Sequence, residues 1–146
     1  VSARRPALVL QVPSRTEYLA LVRDVARRMA EVAGFDAVQA EQLALAVDEA
    51  STNVIEHAYR GAGDRTVELG FEDEGDELRV DVLDQGEAVD PASVPDVDLR
   101  RYASERRTGG LGMHLMGRIM DSVTFRRTAR GNVCRMVKRK PSRVAP

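Results

Sequence analysis

The stretch Leu43–Tyr59, LALAVDEASTNVIEHAY, constrains this chain more than any other. Leu43, Val47, Ala50, Val54 and Ala58 recur at steps of three and four residues, the period of one helix face. Glu49 and Asn53 stand four apart on a neighbouring stripe, and a helix brings such residues side by side. A carboxylate beside a carboxamide, at the margin of a buried face, is suited to handling a metal and a proton. Taken alone, the same pair is equally explained as two solvated helix positions.

The chain is 146 residues long, which fits one domain with a core that needs no disulfide. Apolar content of 43% and charged content of 31% are those of an ordinary globular protein. A net charge of −1 sets up no overall field for nucleic acid or an anionic membrane, so neither is expected as a direct partner. Of the 22 basic residues 20 are Arg, but they are interspersed with acids and read as a solvated surface. The single Cys134 excludes an internal disulfide and fits a reducing compartment. No apolar run approaches the ~20 residues that span a bilayer. The stretch before Pro13 is too short for a signal peptide, so a cytoplasmic location is the expectation.

Along the chain, Ala7–Val12 reads as a strand ended by Pro13, with Ser14 or Thr16 as a helix N-cap. A first helix is predicted over Glu17–Val32, its apolar stripe formed by Tyr18, Val22, Val25, Met29 and Val32, with Gly34 past its end. Asp36 with Gln39 is a capping-box pair that opens a second helix, about Ala37–Tyr59. Thr66–Glu72 and Glu77–Leu83 alternate as two strands of a hairpin around Gly75. Segment 87–108 contains Pro91 and Pro95 and shows no sustained period; it reads as a lid with a short helical turn near Leu99–Ser104. Gly109-Gly110-Leu111-Gly112 then leads into a short helix, and Ser122–Thr128 with Asn132–Lys138 forms a closing hairpin. The expected fold class is α+β: a two-layer sandwich with a mixed, mostly antiparallel sheet and helices on one face. One domain covers 1–146, with its core at about 7–138 and its lid at about 87–108.

Three polar clusters sit at element ends. The glycine run has the most direct chemistry, because unshielded backbone N–H groups at a helix start suit phosphate. It has neither P-loop spacing nor the strand context of a dinucleotide fingerprint. Asp84 after an apolar strand caps a turn or, alternatively, accepts from the exocyclic amine of a nucleobase, with Gly86 allowing the ring to come close. Asn53 offers an amide oxygen to Mg²⁺, which takes only one or two protein oxygens, and Glu49 beside it is a proton acceptor.

Glu49-Ala50-Ser51-Thr52-Asn53 with Glu56-His57-Ala58-Tyr59 resembles the N box of the GHKL ATPase superfamily. Asp84-Gln85-Gly86 resembles its first glycine box, and Gly109–Gly112 its second. The AVDEASTNVIEHAY and GGLGMHLM wording is most similar to the bacterial anti-sigma serine/threonine kinases, over about Ala7–Lys138. The resemblance implies a Bergerat fold holding Mg²⁺–ATP under an ATP lid. It implies Glu49 as general base, Asn53 as Mg²⁺ ligand, and Asp84 with Gly86 at adenine. Thr108, Gly109, Gly110, Leu111 and Gly112 would form the phosphate loop. It also implies phosphorylation of an anti-sigma antagonist protein, binding of a sigma factor, and a homodimer. A sequestering module without phosphotransfer and a detached histidine-kinase catalytic domain are the alternatives. The family's last hairpin often carries a Gly-Thr-Thr-like turn whose hydroxyl helps hold adenine; here the stretch is Gly131-Asn132-Val133-Cys134. Arg106 and Arg107 in the lid are candidates for the γ-phosphate. His57 reads as packing or as a support behind the site and His114 as structural, Met113, Met116 and Met120 as core or interface filling, and Cys134 as a small buried hydrophobe.

Overall fold

The computed structural model of the chain describes residues 7–86 and 110–141. Its strands are β1 (Leu8–Pro13), β2 (Thr66–Asp73), β3 (Glu77–Asp84), β4 (Ser122–Thr128) and β5 (Gly131–Arg139). Its α-helices are α1 (Leu19–Ala33), α2 (Ala37–Asn53) and α3 (Gly110–Ile119). A 3₁₀ turn, Thr16–Tyr18, precedes α1, and a π-helical turn, Val54–Ala58, follows α2.

The strands form one sheet in the order β1-β2-β3-β5-β4. Every pairing among them is antiparallel, in keeping with the mostly antiparallel sheet expected. Two of the four pairings are tight hairpins, which allow no other orientation. The β4–β5 hairpin enters at the sheet edge and returns inward, so β5 lies antiparallel to β3 as well.

One face of the sheet is dry. Val67, Leu69, Phe71, Leu78, Val80, Val82 and Met136 are fully buried there beneath the helices. The opposite face carries charged ladders instead. Arg135 meets both oxygens of Asp81 at 2.9 Å, and Arg130 reaches Glu68 at 3.0 Å. Strict alternation along β2 and β3 produces both faces at once in the middle of the sheet, so the two-layer α+β architecture follows from the pleat.

Helix α2 is central, contacting both α1 and α3. The capping box forms as read: Gln39 N donates to Asp36 Oδ1 at 2.8 Å, and Asp36 N donates to Gln39 Oε1 at 3.2 Å. Gly34 adopts the left-handed conformation, φ 103°, that closes α1. Three expectations are corrected. The buried stripe of α1 is Val22, Ala26, Ala30 and Ala33, while Val32 is 70% exposed. α1 packs against α2, and three of the four buried residues of α1 are alanines, so small residues mark its buried side. Neither Ser14 nor Thr16 caps a helix: Ser14 is buried, its Oγ donating to Ala62 O and accepting from Arg65 N. The second helix leaves α geometry after Asn53, with Tyr59 N donating to Val54 O at 2.9 Å across a wider turn. Apolar spacing at Val54, Ile55 and Ala58 fits either turn width, so periodicity cannot separate them.

Met116 and Met120 are buried and Cys134 is buried, as expected of core residues. Burial pushes the Cys134 thiol up to about 12, which leaves it unreactive. His57 and His114 are both exposed, so neither has the packing role read for it. The lid, its expected helical turn, Arg106 and Arg107 lie outside the described residues.

Phe71, the largest fully buried side chain, anchors the dry face. Phe71→Ala is expected to cost about 3–5 kcal/mol, read from the denaturant midpoint. Val32→Ala on the exposed side of α1 is expected to change stability by no more than about 0.5 kcal/mol.

Candidate functional site

Asp84 closes the apolar strand β3 and is only 7% exposed. A carboxylate taken out of water needs donors, because it can only accept. Both described donors arrive on one oxygen: Gly86 N and Asn132 Nδ2 each donate to Oδ1 at 2.9 Å. Asn132 faces Asp84 because β3 and β5 pair Asp84 with Asn132 in register.

Two glycines make this convergence possible. Gly131 has φ +134°, which only glycine adopts readily, and a Cβ there would collide with the Asp84 backbone carbonyl. A Cβ on Gly86 would lie 2.6 Å from Ala58 O and 2.9 Å from Ala58 Cβ. The turn after β3 therefore rests directly on the end of the π-helical turn. Tyr59 secures the same junction. Its hydroxyl donates to Thr66 O at 2.7 Å and accepts from Gln85 N at 2.8 Å. Burial raises the Tyr59 phenol pKa, which keeps the hydroxyl a donor.

Glu49 and Asn53 both lie half-buried on the last turns of α2. Burial is the main cause that raises the Glu49 pKa, with Asp48 and Glu56 adding repulsion. A carboxylate so destabilised is a stronger proton acceptor than a solvated one. Asp48 is raised by burial too, partly offset by Arg23, whose Nη1 stands 3.7 Å from Asp48 Oδ2. Asp48 Oδ1 is buried with no hydrogen-bond partner among the described residues. The end of α2 thus holds two adjacent carboxyls at an energetic cost, and α geometry gives way to the π turn immediately afterwards. Such turns concentrate at functional sites.

Of the residues singled out from sequence, Glu49 and Asn53 share one helix face, and Asp84 and Gly86 share one turn. Ala58 and Tyr59 tie the two groups together. Gly110, Leu111 and Gly112 form the first turn of α3. Thr108 and Gly109 lie outside the described residues. Sequence reading missed the supporting roles of Tyr59, Gly131, Asn132 and Arg127. Gly131 opening a strand beside Asn132 was the available signal for a close approach. Among the described residues no three His, Cys, Asp or Glu side chains group as a metal cage.

A buried carboxylate at a strand end, a glycine that admits a neighbour and an acid–amide pair on the adjoining helix thus meet at one end of the sheet. The family model described as "Histidine kinase-like ATPase domain" matches residues 12–138. Curated relatives match it over about three quarters of their own length. Serine-protein kinase RsbW of Listeria monocytogenes is 34% identical over 120 residues, covering 80% of this chain and 76% of its own. The Bacillus subtilis protein of the same name is 33% identical over 119 residues, covering 78% and 74%. The SiaB–SiaC complex from Pseudomonas aeruginosa shares the fold at TM-score 0.59 and 17% identity, over 92% of this chain and 89% of that one. A structure of the RsbU and RsbW domains of a Mycobacterium tuberculosis protein shares it at TM-score 0.57 and 18% identity. This chain covers only 32% of that longer one. The chain belongs to the histidine kinase-like ATPase domain family and, within it, to the anti-sigma factor serine kinases.

The raised Glu49 pKa has a consequence for stability. The folded state binds the Glu49 proton more tightly than the unfolded chain does, so this residue's contribution to stability falls as pH rises through the carboxylate range. Glu49→Gln removes that penalty. The variant is expected to be more stable than wild type at pH 7, the gap closing as pH falls toward the ordinary glutamate value of about 4.3 and gone well below it. Urea melts across that pH range check it.

Proposed function

We propose that this chain is an ATP-dependent protein serine/threonine kinase of the anti-sigma type, which phosphorylates an anti-sigma antagonist protein and binds a sigma factor. The observation that carries this reading is the placement of Asp84. Its carboxylate is held at a strand end by Gly86 N and Asn132 Nδ2, on a turn that packs against the end of the helix bearing Glu49 and Asn53. The relatives named as serine-protein kinases support the same reading.

The residues present fit Mg²⁺–ATP. Asp84 accepts from the amine of adenine, and Gly86, whose lack of a side chain lets the turn pack on Ala58, donates its N–H to the same carboxylate. Asn53 gives Mg²⁺ one amide oxygen, in keeping with an ion that completes its octahedron from phosphates and water. Thr108, Gly109, Gly110, Leu111 and Gly112 cradle phosphate at the start of α3, where backbone N–H groups and the helix dipole favour anions. Bound ATP supplies the phosphoryl group. Glu49 takes the proton from the attacking serine or threonine hydroxyl, and its burial beside Asp48 strengthens it as a base. The role of Asp48 is electrostatic: it raises the basicity of Glu49 without touching the substrate.

The domain spans 1–146 with a core at about 7–138 and a lid at about 87–108, and acts as a homodimer in the cytoplasm. No helix among the described residues is long and apolar enough to cross a membrane. Sigma factor and antagonist recognition would fall on surfaces around the lid and the first helix.

Calorimetry with ATP, with and without Mg²⁺, tests the pocket, and γ-phosphate transfer to candidate antagonist proteins tests the chemistry. Asp84→Ala is expected to lose about 1.5–3 kcal/mol of ATP affinity, the range for a hydrogen bond to a charged group. Glu49→Ala is expected to bind ATP but transfer no phosphate. If wild type bound ATP and antagonist yet was as inert as Glu49→Ala with every partner, a sequestering module would replace the kinase reading.

A further inference from the structure

Charge is spread unevenly along this chain, although its sum is only −1. Segment 110–146 holds nine Arg and Lys residues against one acid, Asp121, whereas segment 1–109 holds 13 against 22. The fold gathers the basic segment on one side. α3, β4 and β5 follow one another in the chain, and β4 lies outermost in the sheet beside β5. The single acid is engaged within its own segment, where Asp121 Oδ2 accepts from Arg139 N at 2.7 Å. Three of the cations meet acids of the older strands: Arg135 with Asp81, Arg130 with Glu68 and Lys140 with Asp73. Arg118 at the end of α3 and Arg126 on β4 are exposed, and neither meets an acid among the described residues. Arg127 is exposed beside Arg126, and its Nη1 donates only to neutral oxygens, Asn132 Oδ1 at 3.1 Å and Gly86 O at 3.4 Å.

β4 is also an open edge. Among the described residues it pairs only with β5, so every second residue of Ser122–Thr128 presents a backbone N–H and C=O with no strand opposite. Another polypeptide strand can satisfy those groups in a row, which neither a nucleic acid nor a lipid surface can do. Val123 and Phe125 are half-buried against the core, and apolar residues of an added strand would cover them further. The charges decide what else that strand carries. Pairing β4 with β4 of a second copy would add like charge to like charge along one edge, which is repulsive across strands. β1, the opposite edge, has no charged residue in Leu8–Pro13, so the positive charge belongs to this edge alone.

We propose that β4 is a docking edge for an extended, acidic segment of a protein partner. The segment adds to the sheet as a further strand, its backbone paired with Ser122–Thr128 and its carboxylates facing Arg118, Arg126 and Arg127. Backbone pairing supplies affinity, and the arginines select a sequence that brings carboxylates. The proposal stands apart from the nucleotide reading, in which Arg118 and Arg126 have no role.

The probe is a blocked peptide of seven residues, the length of β4, that alternates Glu with Val. It is compared with the same peptide methylated at every backbone nitrogen, with a version carrying Lys for Glu, and with an oligothymidylate of similar charge. Calorimetry at low salt reads affinity, and hydrogen exchange of the β4 amides reads the site. The acidic peptide is expected to bind, to protect every second β4 amide and to weaken as salt rises. The Lys version is expected not to bind. Arg118→Glu and Arg126→Glu are exposed substitutions that leave Tm unchanged, and each is expected to weaken binding about twofold to tenfold. Failure of the acidic peptide to bind, or binding that leaves the β4 amides unprotected, overturns the proposal. Equal affinity for the methylated peptide or the oligothymidylate makes this edge a general anion surface and overturns it as well.

Discussion

A carboxylate buried at the end of a central strand has to be met by donors. Much of this molecule's arrangement follows from how Asp84 is met. One donor comes from two residues along its own chain, Gly86 N. The other comes across the sheet, Asn132 Nδ2. The first requires a tight turn that presses against Ala58, the second a strand start at Gly131 that no side chain would allow. The Tyr59 hydroxyl then fastens the turn to the beginning of β2. Base-reading and helix sides of the pocket are therefore one mechanical unit. A change in Asp84 would be felt along α2, and a change in the π turn would be felt at the base.

The helix side is costly in a different way. Asp48 and Glu49 sit half-buried next to each other, with only a long ion pair from Arg23 to offset the first. A sequence selected for stability alone would have neutral residues there. The destabilised charge is the kind of group that the proposed general base requires, at the end of a helix that lies over a dry core with Leu69, Phe71 and Val80 fully buried.

The sheet was legible in the sequence because alternation writes each strand directly, and the register brought Asp84 to an element end as expected. The placement of Glu49 and Asn53 together at the end of a helix, and of Asp84 and Gly86 in one turn, was legible because helix period and turn chemistry are local signals. Tyr59, Asn132 and Arg127 were not, since their contacts cross 26, 48 and 41 residues of chain to Gln85, Asp84 and Gly86. The stripe of α1 was legible at Val22, Val25 and Met29, which are buried or packed against the core, and misread only at its end, where Ala33 is buried and Val32 exposed. The π turn escaped because its apolar residues satisfy two turn widths.

The account comes down to where a nucleotide would lie. A crystal structure with Mg²⁺ and a non-hydrolysable ATP analogue tests it most directly. The predicted result has the adenine amine hydrogen-bonded to Asp84, Gly86 against the ring, and the metal on the Asn53 side chain with Glu49 facing the terminal phosphate. An ordered base that makes no contact with Asp84, or a nucleotide bound away from the end of α2, would contradict it.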